Sequence, residues 1–438
     1  SIIVLSLSLK AIVRYLVMYY RIVLLVSILS SFLFSFENVM GTTGYFRFQN
    51  SLQDDKENVC FKAQGASSKY RLGNECESWI ELAIYQDITF DNGVVMHNQV
   101  RPIFLGANES SIDFFDWGEL YSELSNVLDN SAVFWIGRKF NQRYDSHMTD
   151  YWYLNMSGDG IGVNDYDLGE LALSYSLLFH KLNPTTVDND KYTLLQSHDL
   201  RFVKEFERGE ITLFLNYMAV NGESFTATQK VEDVDGYAVG ILYEDKKIFK
   251  EFFGMKGNNI SGIFYGSGVA QNAGAYTPYM SIVHEGEKFI DDLINNGKTI
   301  ENSKTFRILN TNAFENDTIG IMSNFVYEYR DNEDFTNEKQ RWLSAGIRPY
   351  WFMHRYTRLL MELGYDSVEN EIANESYDLT KLTTAIEFAL EKGVWERPVL
   401  RLYYTHASWN DETKDMGSSY YSGDTSGNNI GVQLEYWW

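Results

Sequence analysis

Three pairs of an aromatic and an ionisable side chain, each spaced two residues apart, are the first candidates for chemistry in this sequence. They are Tyr45 with Arg47, Trp79 with Glu81, and Trp395 with Arg397. Residues two apart in a strand lie on the same face of a sheet. An aromatic plane can cover an apolar face of a sugar ring, while guanidinium and carboxylate groups exchange hydrogen bonds with its hydroxyls. The pairs therefore indicate a surface that could contact polyhydroxylated molecules.

The densest polar and aromatic cluster is the segment 137–153, GRKFNQRYDSHMTDYWY. Such a composition is typical of a loop that narrows a pore, and its candidate pore residues are Arg143, Asp145, Asp150 and Trp152. Asp145 and Asp150 are also a carboxylate pair of the kind that glycosidases use. Nothing in the sequence, however, indicates the apolar surroundings that would raise the pKa of one of them. His147 has no evident nucleophile nearby, so we expect it to pack structurally.

Motifs for metal or cofactor chemistry are missing from the sequence. It contains no glycine-rich phosphate loop, no zinc-ligand spacing and no Gly-x-Ser-x-Gly motif. We therefore predict no catalytic residue, no metal site and no cofactor.

Strands that could position these side chains appear as a period of two from about residue 43 onward. The last nine residues are the clearest case: one face carries Ile430, Val432, Leu434, Tyr436 and Trp438, and the other carries Gly431, Gln433, Glu435 and Trp437. An apolar face for lipid and a polar face for a lumen are typical of a transmembrane β-barrel. The same alternation directs Leu400 and Leu402 toward lipid, and Trp395, Arg397 and Arg401 toward the lumen. Polar stretches rich in Gly, Asn and Asp at 52–58, 329–338 and 408–429 are predicted to be surface loops. Residues 376–392 have some helix propensity, but we interpret them as strand and loop.

Composition supports a barrel rather than several soluble domains. The 438 residues are 16% aromatic, with only 5 Pro, and the mean hydropathy is −0.29. Barrels need aromatics at both membrane interfaces while their lumens stay polar. The net charge of −23 repels nucleic acid and fits acidic external loops that divalent cations bridge to lipopolysaccharide, with a cation preference in the pore as the second interpretation. Strands of about ten residues with their connections would number 16 or 18.

The N-terminal residues 1–36 are predicted to be processing sequence. Arg21 followed by the apolar run 22–36 is typical of a signal peptide, with a true start near Met18. We therefore assign 37–438 to a single barrel domain. In an exported protein, Cys60 and Cys76 are expected to form one disulfide, worth about 3 kcal/mol for a loop of this size.

Two stretches resemble the maltoporin family densely. The segment 60–77, CFKAQGASSKYRLGNECE, is similar to that family's disulfide-closed first loop, and 137–152 is similar to its inward-folded third loop. Weaker similarities are GSGVA at 266–270, GIRP at 346–349, MELGYD at 361–366, WERP at 395–398 and the terminal Trp437-Trp438. The resemblance implies an all-β fold, an antiparallel 18-stranded transmembrane barrel with an inward constriction loop. It also implies a homotrimer in the outer membrane of a Gram-negative bacterium.

What the resemblance implies for function is a passive channel for maltose and maltodextrins, with an aromatic slide beside a polar track. Slide positions match Tyr45, Trp79, Trp395 and Trp437, with Phe252 as a looser match. Track positions match Arg47, Arg71, Glu81, Arg143, Asp145 and Asp150, and Trp152 occupies the place of a constriction tyrosine. The uppermost slide tryptophan, which a neighbouring subunit supplies in the family, is replaced by Trp117 or Phe114. One track arginine is Ser122 here.

Three alternatives stay open from the sequence. The channel could take another oligosaccharide, such as sucrose or a chitin-type chain, because the two departures lie at the entrance. A general diffusion porin would have charged lumen residues without a connected aromatic path. A secreted glycan-active enzyme or lectin of the β-sandwich type would need no detergent for purification.

Overall fold

The computed structural model describes residues 37–52, 60–107, 114–128, 130–182, 192–226, 228–272, 289–413 and 423–438. The predicted signal segment 1–36, with its start near Met18, lies outside the described residues. So do most of the predicted surface loop 52–58 and the middle of the predicted loop 408–429.

Eighteen strands of the described chain form one antiparallel sheet. Their bounds are β1 Glu37–Leu52, β2 Glu77–Thr89, β3 Val95–Ala107, β4 Phe114–Ser125, β5 Val133–Lys139, β8 Gly158–Asp167, β9 Ala172–Leu182, β10 Thr193–Phe206, β11 Gly209–Val220, β14 Val234–Asp245, β15 Lys256–Gly268, β16 Lys304–Glu315, β17 Ile319–Asn332, β18 Glu338–His354, β19 Thr357–Asn370, β20 Glu375–Ala389, β21 Val399–Trp409 and β22 Ser426–Trp437. Each strand pairs with the next, and β1 also pairs with β22, which closes the barrel.

Short elements lie between the barrel strands. Two small hairpins are β6 Tyr144–Ser146 with β7 Tyr151–Leu154, and β12 Glu223–Ser224 with β13 Lys230–Val231. Helix α1 is Ile248–Phe253, α2 covers 289–296 and continues into a 3-10 helix at Gly297–Asn302, and α3 is Glu333–Thr336. None of the helices in the described residues is long and apolar enough to span a membrane.

Alternation along the strands separates a lipid face from a lumen face. In β11, Leu213 and Leu215 are exposed on the outside, while Phe214 and Asn216 are buried inside. The predicted alternation of the last strand is confirmed, because Gln433 is buried in the lumen while Ile430 and Val432 are exposed. Since successive side chains of a strand point to opposite faces, knowing which face one side chain occupies gives the face of every other side chain in that strand.

The two ends of the barrel differ in the length of their connections. Turns such as 207–208 and 355–356 join strands at one end, whereas 140–157 and 269–303 join them at the other. In outer-membrane barrels the short turns are periplasmic and the long loops extracellular. The two extracellular segments that matter for the lumen are 60–76, called loop L1 below, and 140–157, called loop L3.

Loop L1 folds into the lumen and docks on the far wall. The ring of Tyr70 lies over Gly346 and Gly364, where a built Cβ would come within 2.2 Å and 2.1 Å of ring carbons. The Tyr70 hydroxyl is 3.1 Å from the hydroxyl of Ser344. Cys60 and Cys76 are disulfide bonded with their Cα atoms 5.6 Å apart, as predicted. Glycine is required at both wall positions because no other residue leaves room for the ring.

Loop L3 folds inward as well and packs beside L1, on β16, β17 and β18. Its Tyr151 ring is 5.2 Å from that of Trp342, and its hydroxyl donates to Glu328 at 2.9 Å. The Tyr153 carbonyl accepts from Arg307 at 3.1 Å. A continuous buried cluster of aromatic and aliphatic side chains joins L3 to strands β9 through β18. This part of the lumen is therefore filled, and β1–β5, β8 and β19–β22 form the rest of the wall.

Three sequence expectations about elements can be compared directly. Residues 376–392 are mostly strand β20, as we interpreted them. The predicted loop 329–338 is shorter, because β17 and β18 extend into it and only α3 remains between them. Placing Trp395 and Arg397 on a strand is wrong, since both lie in the turn before β21. Pro398 has no N–H to donate to a ladder, so the strand begins after it.

Candidate functional site

Four rings form a row along the lumen between the first strand, the last strand, loop L3 and the turn before β21. The Tyr45 and Trp437 rings are stacked with centroids 6.4 Å apart. The His147 ring at the tip of L3 is 5.7 Å from Trp437 and 5.4 Å from Trp395. Since β1 and β22 are neighbours, residues from the two ends of the chain build one aromatic surface.

The carboxylate of Glu435, in the last strand, is contacted by three arginines beside this row. Glu435 accepts from the Tyr45 hydroxyl at 3.0 Å and from the Arg71 guanidinium at 3.3 Å. Arg397 and Arg401 approach its other oxygen at 2.8 Å and 3.1 Å. The Arg397 guanidinium also lies 4.1 Å above the Trp437 ring. Three guanidinium groups around one carboxylate leave donor groups in excess on this wall.

Loop L1 supplies the next part of the polar wall. Arg71 bonds to Glu75 at 2.5 Å and to the Tyr45 hydroxyl at 2.7 Å. Arg47 of β1 pairs with Glu75 at 3.4 Å, with Glu77 at 2.5 Å and with Asp150 of L3 at 3.3 Å. These bonds fix L1, L3 and the barrel wall against one another. They keep the charged side chains in place, as a surface for hydrogen-bond exchange requires.

Arg143 of L3 is held between two aromatic planes. Its guanidinium carbon is 3.7 Å from the Phe140 centroid and 4.4 Å from the Trp152 centroid. Cation–π contacts with two rings restrict the position of the guanidinium. Trp152, which the sequence predicts at the constriction, thus positions a guanidinium donor of L3.

The two L3 carboxylates differ in their protonation. Burial and the nearby Asp150 raise the pKa of Asp145 to about 6. Burial acts on Asp150 too, but Arg71 and Arg47 outweigh it and hold its pKa at about 2. The positive backbone φ of Asp150, 56°, places its side chain toward these arginines at a turn. Asp150 is therefore an ionised acceptor at neutral pH, and Asp145 titrates close to neutrality.

His147 is a neutral ring in this site. Burial, with Arg71 and Arg397, lowers its pKa well below the ordinary value. Arg71 is 3.3 Å from Nδ1 and Arg397 is 2.9 Å from Nε2. Neutral imidazole carries one acceptor nitrogen, so it accepts from one guanidinium at a time. The expected packing role agrees with these contacts, yet the ring also completes the aromatic row.

A second set of contacts surrounds Trp79 on β2. The indole N–H donates to Glu81 at 2.8 Å, and Glu81 accepts from Arg101 of β3 at 3.1 Å. Arg101 also bonds Glu119 of β4 at 2.6 Å and lies 5.6 Å from the Phe140 centroid. This group connects the wall β2–β4 to the base of L3. Ser122 donates to Asn98 at 2.6 Å and brings no charge here.

Two predicted slide residues lie apart from this row. Phe252 is on α1 at the periplasmic end and is 73% exposed. Trp117 is exposed on the outer face of β4 beside Phe115, with ring centroids 5.4 Å apart. Within the described chain, no ring contact joins either residue to the row from Tyr45 to Trp395. The Phe114 side chain lies outside the described residues.

Sequence reasoning did not select several residues that the structure brings into the site. They are Glu75, Arg101, Glu119, Arg401 and Glu435. A usable signal existed for two of them, because alternation had already placed Arg401 and Glu435 on the lumen face. Which lumen charges meet across L1, L3 and the chain ends depends on how the loops fold, which a local pattern does not contain.

Chemically, the arrangement offers a shallow aromatic surface with many fixed donors and acceptors along one side. Three of its acids, Glu75, Asp150 and Glu435, are paired with guanidinium groups, whereas the pKa of Asp145 is raised. In the described residues, no group of three or more His, Cys, Asp or Glu side chains could hold a metal ion. The site is suited to reversible contact with a passing polar molecule.

Three solved proteins match this chain over most of its length. The outer membrane channel DcaP of Acinetobacter baumannii is 10% identical, with 92% of this chain and 97% of that chain covered and a TM-score of 0.50. A BenF-like porin from Pseudomonas fluorescens Pf-5 is 8% identical, with 92% and 98% covered and a TM-score of 0.49. Pseudomonas aeruginosa OccD3 (OpdP) is 11% identical, with 91% of each chain covered and a TM-score of 0.47. At these identities the likeness concerns the fold.

The family comparison agrees with the closed barrel of 18 strands and its inward loops. The model of the family described as LamB porin matches residues 40–438, which is nearly the whole described barrel. The protein is an outer-membrane channel, and both family and fold point away from an enzyme. The chain belongs to the LamB porin family.

Proposed function

We propose that this channel is selective for sugars and carries maltose and maltodextrins across the outer membrane by facilitated passive diffusion. The observation that carries the proposal is the row Tyr45, Trp437, His147 and Trp395 with charged groups fixed along its side. An apolar sugar face can lie on such a row while its hydroxyls exchange water for guanidinium and carboxylate partners. A general porin needs no connected rings.

Weak and repeated contacts suit transport better than one deep site. Arg71, Glu75, Arg397 and Glu435 of the wall already have protein partners, so a sugar hydroxyl that reaches them replaces water and does not meet an unpaired charge. The free-energy difference between neighbouring positions therefore stays small. A sugar can move from Trp79 and Tyr45 toward Trp437 and Trp395 without being trapped.

The test is ion current through the purified full-length protein in a planar bilayer during titration with maltodextrins of increasing length. Saturable block that tightens with chain length supports the proposal, because a longer chain covers more rings at once. Block by sucrose or chitin-type oligomers alone would keep the slide and change the substrate. Current that no sugar reduces would contradict sugar selectivity and leave a general porin.

We also propose that the channel assembles as a homotrimer. Arg138 shares the outer face of β5 with Phe134 and Ile136, yet it pairs with Asp159 at 2.8 Å and Asp116 at 3.5 Å. Charged side chains facing lipid cost about 2–4 kcal/mol at mid-bilayer and less near the interface. A subunit contact over β4, β5 and β8 would remove them from lipid. Cross-linking in intact membranes should give a trimer, and monomer alone would refute it.

A further inference from the structure

A polar patch interrupts the lipid-facing surface on the side of the barrel formed by β15, β16 and β17. Its members are Asn259, Ser261, Asn310, Asn312 and Ser323, all of them half-buried. They lie on the outside because they alternate in phase with exposed Ile263 on β15, Ile308 on β16 and Phe325 on β17. Their strand neighbours of opposite phase, such as Phe264 and Leu309, are buried in the lumen.

The five side chains are hydrogen-bonded to one another. Asn259 donates to Asn312 at 2.5 Å, and Asn312 donates to Asn310 at 2.7 Å and to Ser323 at 2.9 Å. Ser261 donates to Asn259 at 3.1 Å and accepts from Asn310 at 2.9 Å. A network across three strands at one level is an organised surface, whereas isolated polar side chains on a lipid face would simply be costly.

The position of the patch along the barrel axis matches the edge of the hydrocarbon layer. Asn259 lies three residues from the periplasmic end of β15, Asn312 three from that of β16, and Ser323 four from that of β17. With a rise of about 3.3 Å per residue and a tilt of about 45°, this is roughly 7–9 Å above the strand ends. Outward Phe314 and Trp351 lie just below, at the level of an aromatic girdle.

Donor groups are in surplus in the patch. The bonds above use one amide N–H of Asn259 and one of Asn310, so each of these residues keeps a second N–H. The hydroxyl of Ser323 accepts and has no acceptor of its own among the described residues. Each amide oxygen of the network already accepts a bond. A fitting ligand therefore brings acceptors without donors at this depth, as glycerol ester carbonyls do.

Helix α1 provides a headgroup region directly beneath the patch. Phe249 and Phe253 stack on the outward ring of Phe314, with centroids 3.9 Å and 6.3 Å away. This contact places α1 against the outer wall at the periplasmic rim. Phe252 and Phe253 are 73% and 67% exposed there, and Lys250 is exposed on the same turn of chain. Exposed aromatic rings beside a lysine are typical of a segment that lies in a membrane interface.

We propose that this outer face is a binding site for a glycerophospholipid of the periplasmic leaflet. The ester carbonyls accept from Asn259, Asn310 and Ser323, and the acyl chains cover the apolar wall above them. The phosphate lies against Lys250, with Phe252 inserted at the interface. Lys256 lies near this rim, 3.0 Å from Glu315. The rim therefore carries both positive and negative side chains, which suits a zwitterionic headgroup.

A second copy of the chain could also cover the patch, but the hydrogen-bonding groups of the patch fit a lipid better. A copy docked through the same patch would present the same surplus donors to oxygens that already accept. The experiment below separates the two occupants by mass. The proposal does not depend on sugar selectivity, because none of its residues contacts the aromatic row.

The test is native mass spectrometry of the full-length protein released from detergent and titrated with dioleoyl phosphatidylethanolamine. The variant Asn259→Val with Asn312→Val and Ser323→Val removes three of the five patch residues, two of the three lipid donors among them, and keeps strand propensity. The matched control is Ile263→Val with Ile308→Val and Phe325→Leu, two to four residues farther along the outer face of the same three strands. Heat-modifiable gel migration and open-channel conductance establish that both triple variants fold.

We expect the wild type and the control to retain one phosphatidylethanolamine per chain that the patch variant loses, with at least tenfold weaker apparent affinity. Lys250→Gln should weaken retention by about two- to fivefold through the phosphate. Equal lipid retention by wild type and patch variant would overturn the proposal. If the wild type forms larger assemblies without lipid and the patch variant does not, the patch is a contact between protein copies and the lipid proposal is overturned.

Discussion

At the scale of single residues, Trp395 is the ring whose removal is simplest to interpret. It lies in a turn at the periplasmic end of the row and contacts His147, so no barrel strand depends on it. An aromatic contact is worth about 0.5–1.5 kcal/mol, or roughly two- to tenfold in affinity. Trp395→Ala should weaken maltodextrin block by that factor and leave open-channel conductance equal or higher, because a large ring leaves the pore.

The control for Trp395→Ala is Trp351→Ala, which removes an exposed tryptophan from the outer face of β18. Sugar block should be the same in that variant as in wild type. If maltodextrins of every length block the Trp395→Ala channel as tightly as the wild-type channel, Trp395 is not part of the sugar path.

Asp145 predicts a pH dependence of ion selectivity. With a pKa of about 6, its carboxyl is ionised at pH 7.5 and mostly neutral at pH 5, whereas Asp150, with a pKa of about 2, stays ionised. The constriction therefore loses one negative charge as pH falls through 6. Reversal potentials in a potassium chloride gradient should show a cation preference that decreases between pH 7.5 and 5.

Asp145→Asn is the matching variant for this titration. Its selectivity should equal that of acidified wild type and change little over the same pH range. The raised pKa also means that the folded protein is favoured by protonation between pH 6 and 4, so Asp145→Asn should not lower thermal stability at neutral pH. A wild-type selectivity that stays constant from pH 7.5 to 5 would contradict the assignment.

At the scale of elements, the docking of L1 depends on two glycines facing each other on β18 and β19. A Cβ at Gly364 would lie 2.1 Å from a ring carbon of Tyr70, so Gly364→Ala must displace the ring. Overpacking of this kind costs about 1–3 kcal/mol. We expect Gly364→Ala to lower the midpoint of thermal unfolding and to increase the fluctuation of open-channel current as L1 loosens.

The origin of that effect can be checked by removing the ring. Gly364→Ala combined with Tyr70→Ala should be less destabilised than the two separate losses predict, because the clash no longer exists. Additive losses in the double variant would show that Gly364 matters for a reason other than the ring.

Local patterns predicted the strands well and the loops poorly, for a physical reason. Alternation in 430–438 depends only on which side of one strand meets lipid, and the structure has the same faces. The turn that carries Trp395 and Arg397 depends on where pairing with β20 and β22 stops. The meeting of Arg71, Arg397 and Glu435 depends on L1 folding across the lumen. Long-range contacts of this kind leave no period in the sequence.

At the scale of the whole molecule, loop L3 determines how much of the lumen is open. Lys139 pairs with Gly158, so replacing 140–157 by a two-residue Asn-Gly turn should close β5 and β8 as a hairpin. Because Arg143, Asp145, His147 and Trp152 are removed together, conductance should rise several-fold and sugar block should disappear. Conductance equal to wild type in bilayers would show that L3 does not narrow the channel.

The aromatic row crosses the seam where the barrel closes. Tyr45 belongs to the first strand and Trp437 and Glu435 to the last, so this surface is completed only when the two termini of the chain have paired. A sugar lying across them would bind the finished barrel and not an open sheet, and ligand binding stabilises the state that binds. Maltodextrin should therefore stabilise the pairing of β1 with β22 and slow the separation of these terminal strands during unfolding.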